Sequence, residues 1–203
     1  MRRIMSSSFI PGATALGMIY NDGVILAADR RASYGTFILS KNARKVFKIT
    51  DTIGLSSAGV ISDTQTIVRE AKYGASMFKL QTNREMNAKA LAKLISNILF
   101  SNRLAPLLTQ LIVGGFDKGE KSILVLDALG SIIEDKYAAA GSGSELALGI
   151  LEATYREGMS YDDAKAQVLK TIRSSLERDS ASGNGIDMLF ISKEKAWEEF
   201  VPV

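Results

Sequence analysis

The chain has 203 residues, 46% of them apolar, with 25 Lys and Arg against 22 Asp and Glu for a formal net charge of +3. That length and apolar content fit one domain with a substantial core, and the basic residues are scattered among acidic ones, so no nucleic-acid partner is expected. Cysteine and histidine are both absent, which excludes disulfides, zinc clusters, thiol nucleophiles and any Ser/His or Cys/His dyad; a hydrolase of this composition needs Lys, Asp, Glu, Tyr or a free amine as its base, and no cofactor or metal is expected.

The first twelve residues, "MRRIMSSSFIPG", lack the apolar stretch of a secretory signal, and no apolar run approaches the ~18 residues of a membrane span. They read as a short leader ahead of one domain over 13–203, and a cytoplasmic protein is expected. From Thr14 to Arg30, "TALGMIYNDGVILAADR" reads as strand, turn, strand, with Gly23 expected to supply the positive φ of a tight hairpin. Lys45–Thr50 and Ile53–Gly59 are the next strand pair. A helix is predicted from Ser62 to about Leu80, with Ile67, Ala71 and Phe78 near one face. Leu91, Leu94, Ile95, Ile98 and Leu99 form the apolar stripe of a second helix.

Three strands follow at Thr109–Phe116, Ser122–Asp127 and Ser131–Asp135, with both faces expected to be buried and Gly130 in the turn before the last. The loop Gly141–Gly143 leads into a helix that Gly158 is expected to end. Ser160, with Asp163 three residues later, reads as the N-cap of a helix whose Ala164, Val168, Ile172 and Leu176 share a face. "IDMLFIS" and "EEFVPV" are the closing strands. Strands, two helices, strands, two helices, strands do not alternate as a doubly wound parallel sheet does. The order predicts an α+β fold: a four-layer αββα sandwich of two antiparallel sheets, each covered outside by a helix pair.

Four local features can carry chemistry. Asp29, at a strand end in "AADRRAS", is either a cleft carboxylate or a solvated turn residue. Lys45 heads an apolar strand; facing inward it needs a partner such as Asp29, and a lysine so held can lower the pKa of a neighbouring hydroxyl or amine. Gly59 ends a strand just before a helix, where a backbone N–H can meet an oxyanion, although a plain turn glycine reads the same. Ser142 and the group Asp179, Ser180 and Ser182 are hydroxyl and carboxylate clusters of the kind that also cap helices.

Taken together, "AADRRAS", "SKNARKVFKI", "SSAGVISD", "YAAAGSGSELALGILE" and "RDSASGNGID" resemble the β subunits of archaeal-type 20S proteasomes, members of the N-terminal nucleophile hydrolases, over nearly the whole chain. The resemblance implies the same sandwich and a threonine-type endopeptidase chemistry. In the family, a propeptide is removed to expose a threonine whose hydroxyl attacks the peptide carbonyl while its own α-amine takes the proton. An α-amine with a pKa of about 7.7–8.0 is a usable base where histidine is absent. By matching motifs, Asp29 and Lys45 would tune the nucleophile and Gly59 would donate the oxyanion N–H. Ser142, Asp179 and Ser182 would hold the amino terminus and its water. Ser33 would align substrate, and Ala32, Ala43, Phe47, Ser57 and Ile61 would shape its pocket. The implied partners are proteasome α subunits and other β subunits in stacked seven-membered rings (a 28-mer), unfolded polypeptide substrates and, indirectly, a regulatory ATPase. Since the α-type N-terminal extension is absent, a place in the β ring is expected.

The pattern breaks at one position. The family's first-strand glycine lies four residues after the nucleophile, and its lysine 32 residues after; Gly17 and Lys45 both point back to Ala13. Thr14 is the alternative nucleophile, freed by a cut after Ala13. The two-residue period of a strand, however, turns its side chain to the opposite face, and a one-residue slip would expel the strand's buried set. The expectation is therefore a noncatalytic chain that keeps its leader.

Overall fold

The structure, a computed structural model, describes residues 12–203; the leader-like segment, except for Gly12, lies outside the described residues. β1 (Ala15–Tyr20), β2 (Gly23–Asp29), β10 (Tyr137–Ala140), β11 (Ile186–Ser192) and β12 (Ala196–Val201) form one antiparallel sheet in the order β10-β1-β2-β11-β12. The second sheet runs β5-β6-β7-β8-β9, made of Val46–Lys48, Ile53–Gly59, Thr109–Asp117, Glu120–Leu126 and Ile132–Asp135. A separate hairpin pairs β3 (Ala32–Tyr34) with β4 (Phe37–Ser40).

The two-residue period of the strands sorts side chains into three cores. From β1, Leu16, Met18 and Tyr20 turn to α3 (Ser144–Thr154) and α4 (Tyr161–Leu176), where Leu151, Ala164, Val168 and Ile172 meet them. Ala15 turns the other way, into the core between the sheets. That middle core is graded: alanines at 13, 15, 28, 58, 138 and 140 fill one end, and Leu26, Ile112, Ile123, Leu189 and Ile191 the other. Outside the second sheet, Ile53, Leu55, Leu111 and Val113 pack on Ile67 and Ala71 of α1 (Ile61–Thr82) and on Leu91, Ile95 and Leu99 of α2 (Ala88–Ser101). The family's αββα sandwich is thus the observed architecture, and the helix stripes face the sheets as their spacing implies.

Cap chemistry matches the sequence in α4: Ser160 Oγ accepts the Asp163 N–H at 3.2 Å and donates to the Asp163 carboxylate at 2.7 Å. Ser160→Ala is expected to destabilise the fold by about 1 kcal/mol in chemical denaturation, the usual cost of a lost N-cap; no measurable change would mean water replaces the cap.

Several expectations are corrected. Gly23 does not have positive φ, nor do Asn21 and Asp22 of the turn. It is required instead by close approach, because a Cβ there would stand 2.0 Å from the Ile191 carbonyl oxygen. α3 ends at Thr154, with Tyr155 extended, and Gly158 lies beyond it in a separate turn at φ +74°. β9 is an edge strand with Ile133 exposed, so its faces are not both buried. The last strand starts at Ala196 and ends at Val201. β3, β4 and β10 have no counterpart in the predicted elements.

Candidate active site

The site lies where β1 and β2 of one sheet meet the start of β5 and the end of β6 of the other. Asp29, the last residue of β2, is fully buried, and its carboxylate accepts four N–H donors. Oδ1 takes Lys45 Nζ at 2.7 Å and the Thr14 amide at 3.0 Å, and Oδ2 takes the Arg31 and Gly183 amides, each at 2.9 Å. Those four donors fill the acceptor sites a carboxylate offers. Lys45 is only 5% exposed. Burial pushes its ammonium below the usual lysine range, and the Asp29 carboxylate opposes that shift.

A second polar chain adjoins the first through Thr14 and the Ser182–Gly183 segment. Ser142 Oγ accepts the Ala13 N–H at 3.1 Å and donates to Asp179 Oδ2 at 2.6 Å; Ser182 Oγ donates to the same oxygen at 2.6 Å. A hydroxyl carries one proton, and that of Ser182 is held by the carboxylate. The 2.9 Å contact between Thr14 Oγ1 and Ser182 Oγ therefore has Thr14 as donor. Thr14 is fully buried: its amide is bound to Asp29, its hydroxyl to Ser182, and its side chain lies against Gly143 at the start of α3. Ala13 occupies the middle core with Ala58 and Ala140, and its carbonyl accepts the Gly143 N–H at 3.2 Å. Gly12 is packed so closely that a Cβ would lie 2.5 Å from Ser142 Oγ.

Gly59 stands at the β6–α1 junction with φ +133°, a conformation closed to other residues, and a Cβ would lie 2.3 Å from the Leu108 carbonyl oxygen. Ile61 opens α1 two residues later. Ser57 is buried, and its amide and hydroxyl both donate to the Lys45 carbonyl, at 2.9 and 3.3 Å. The Ala43 amide donates to the Arg30 carbonyl at 2.9 Å. Phe47 packs on the core beneath α1 and α2. Ala32, buried, and Ser33, half-buried, sit on β3. The structure thus brings Asp29, Lys45 and Ser57 together, joins Ser142, Asp179 and Ser182 through shared hydrogen bonds, and places Ala32 and Ser33 on the separate hairpin.

Sequence reasoning did not single out Arg31. Its guanidinium donates to Asn184 Oδ1 at 2.9 Å and to the Ser180 carbonyl at 2.7 Å, holding the loop whose Gly183 amide reaches Asp29. The only local signal was its place directly after Arg30 in "AADRRAS".

A sequence profile of the proteasome subunit family matches residues 11–191. The chain belongs to the proteasome subunit family. Among relatives of this proteasome subunit are proteasome subunit beta 1 of Staphylothermus marinus, 45% identical over 94% of this chain and 89% of the relative, and proteasome subunit beta 2 of Pyrobaculum arsenaticum, 44% identical over 95% of each. Proteasome subunit beta 1 of Ignicoccus hospitalis is 46% identical over 89% of this chain and 91% of its own length. These relatives identify the chain as a proteasome β subunit of archaeal type, a member of a threonine peptidase family that assembles with other proteasome subunits. No helix among the described residues of this proteasome subunit is long and apolar enough to cross a membrane.

Thr14→Val is expected to cost about 1–2 kcal/mol, since Ser182 loses a buried donor, and to leave the peptide-hydrolysing rate of assembled particles unchanged. A fall in that rate with folding intact would make Thr14 part of the chemistry.

Proposed function

We propose that this chain is a noncatalytic β-ring subunit of a 20S core particle, which supports a separate, active β subunit and keeps its leader, Met1–Gly12. One observation carries the reading: the residue whose amide meets Ser142, beside the Asp29–Lys45 pair, is Ala13, which has no hydroxyl. A threonine here would place its hydroxyl and, once cut free, its own amine among Lys45, Asp29 and the Ser142–Asp179 pair. Alanine leaves that apparatus without a nucleophile for peptide hydrolysis or for removal of the leader. Losing the nucleophile of such a unit costs on the order of 10⁶ in rate. Thr14 is a poor substitute, because its amide and hydroxyl are both committed and its side chain is buried.

In this reading Asp29, Lys45, Gly59 and the Ser142–Asp179–Ser182 group are an inherited site, and Ser33, Ala32, Ala43, Phe47, Ser57 and Ile61 border a cleft that no longer turns over peptide. The particle has seven-membered β rings between α rings in the cytoplasm and degrades unfolded polypeptides fed by a regulatory ATPase. Intact mass and N-terminal sequencing of this chain in assembled particles test the reading. A chain still carrying residues ahead of Ala13 is expected; an N-terminus at Thr14, or an adduct on this chain from a threonine-directed covalent inhibitor, overturns it.

A further inference from the structure

At the end of the sandwich away from Ala13, a cavity of about 620 Å³ opens among the β1–β2, β7–β8 and β11–β12 turns. β1, β2 and β11 each span the sheet from the candidate active site to this cavity, and their six or seven residues at about 3.3 Å each put the two roughly 20 Å apart. The volume lies within the range of small-ligand pockets, about 300–1,000 Å³.

Its wall is aromatic. Trp197 stacks on Phe190 with centroids 5.0 Å apart, and Tyr161 lies 5.7 Å from Trp197 and 6.3 Å from Tyr20. The polar ends of Tyr161 and Trp197 are already used, since both donate to Glu199 Oε1, at 2.7 and 3.1 Å. Those two side chains therefore have only ring surface to offer a ligand.

The mouth is cationic. Lys121 is fixed there by donating to the Tyr20 and Asn21 carbonyls at 3.3 and 2.8 Å. Lys195 stands 5.2 Å over the Trp197 ring, and Lys193 is its exposed neighbour on the same turn. Three ammoniums face two carboxylates, Asp22 and Glu194, and Asp22 already accepts the Asn21 side-chain amide at 2.8 Å. A flat apolar body with one negative group matches this combination of ring surface and excess cation.

We propose that this cavity binds a small aromatic carboxylate, its ring against Trp197 and Tyr161 and its carboxylate among Lys121, Lys193 and Lys195. The site is independent of whether the chain cuts peptides. Trp197 is the single tryptophan in the sequence, so its emission reports occupancy directly. Titrating the full-length protein with phenylacetate is expected to give a saturable change in tryptophan emission. Phenylacetamide, the same ring without the charge, should bind about tenfold more weakly, the size of one charge-assisted contact, and salt should weaken only the phenylacetate titration. Changing Lys193→Ala and Lys195→Ala together should remove most of that difference between the two probes. Equal binding of the two probes, or no saturable change with phenylacetate, overturns the proposal; both outcomes are read on the unaltered protein and do not depend on a variant folding.

Discussion

Ala13→Thr is expected to turn this chain into one that cuts itself after Gly12 and hydrolyses peptides. The geometry around position 13 supports the result. The amide there already meets Ser142 Oγ at 3.1 Å, Ser142 and Ser182 are both anchored on Asp179, and Lys45 is held at 2.7 Å by Asp29. A hydroxyl added at 13 would find a depressed-pKa lysine on the neighbouring sheet and, after cleavage, an α-amine able to act as base. By the serine-protease precedent, the gain in rate over the unaltered chain is on the order of 10⁶, from an undetectable background to turnover visible with a fluorogenic peptide. Two measurements check it: loss of the mass of residues 1–12 from the chain, and peptide hydrolysis that disappears again when Lys45→Ala is added. A correctly assembled Ala13→Thr particle that neither sheds its leader nor turns over peptide would show that more than the hydroxyl has been lost.

The second large effect concerns stability. Asp29→Asn is expected to destabilise the fold by about 3–5 kcal/mol, the range for breaking a buried ion pair by removing one partner. Asparagine keeps the shape but not the chemistry: four N–H donors converge on the two Asp29 oxygens, and an amide nitrogen would face two of them while Lys45 loses its counter-charge. Urea unfolding of Asp29→Asn, Lys45→Met and the double variant separates the terms. The double variant should be less destabilised than the sum of the singles, because it no longer buries an unpaired ammonium. Additive losses would mean that Lys45 finds another partner when Asp29 changes.

Much of this arrangement could be read from local sequence because local rules govern it. The helix stripes, the Ser160 cap and the order of strands and helices follow from periodicity and side-chain chemistry over a few residues. The need of a partner for Lys45, once it faces inward, follows from polarity alone, since a charge at the head of "KVFKI" must be paired if it is buried. The strand period was enough to turn Thr14 away from the face of Ala13.

What escaped depends on distant contacts or weak propensities. β10 is "YAAA", three alanines with little preference for a strand, and it is extended because it pairs with β1 from Ala15 to Met18. The need for glycine at 23 comes from the Ile191 carbonyl on β11, which no hairpin rule contains. Thr14 meets Ser182 across 168 positions of sequence, and Arg31 meets Asn184 across 153; neither partnership leaves a local trace.

The gradation of the middle core has a consequence for the site. Asp29 ends β2 of one sheet and Lys45 leads into β5 of the other, so their 2.7 Å contact requires the sandwich to be thin enough at that end for one lysine to cross it. The alanines at 15, 28, 58, 138 and 140 act as thin spacers there, and the leucines and isoleucines deeper in act as thick ones. The reach of a single lysine thereby depends on methyl groups packed between the sheets.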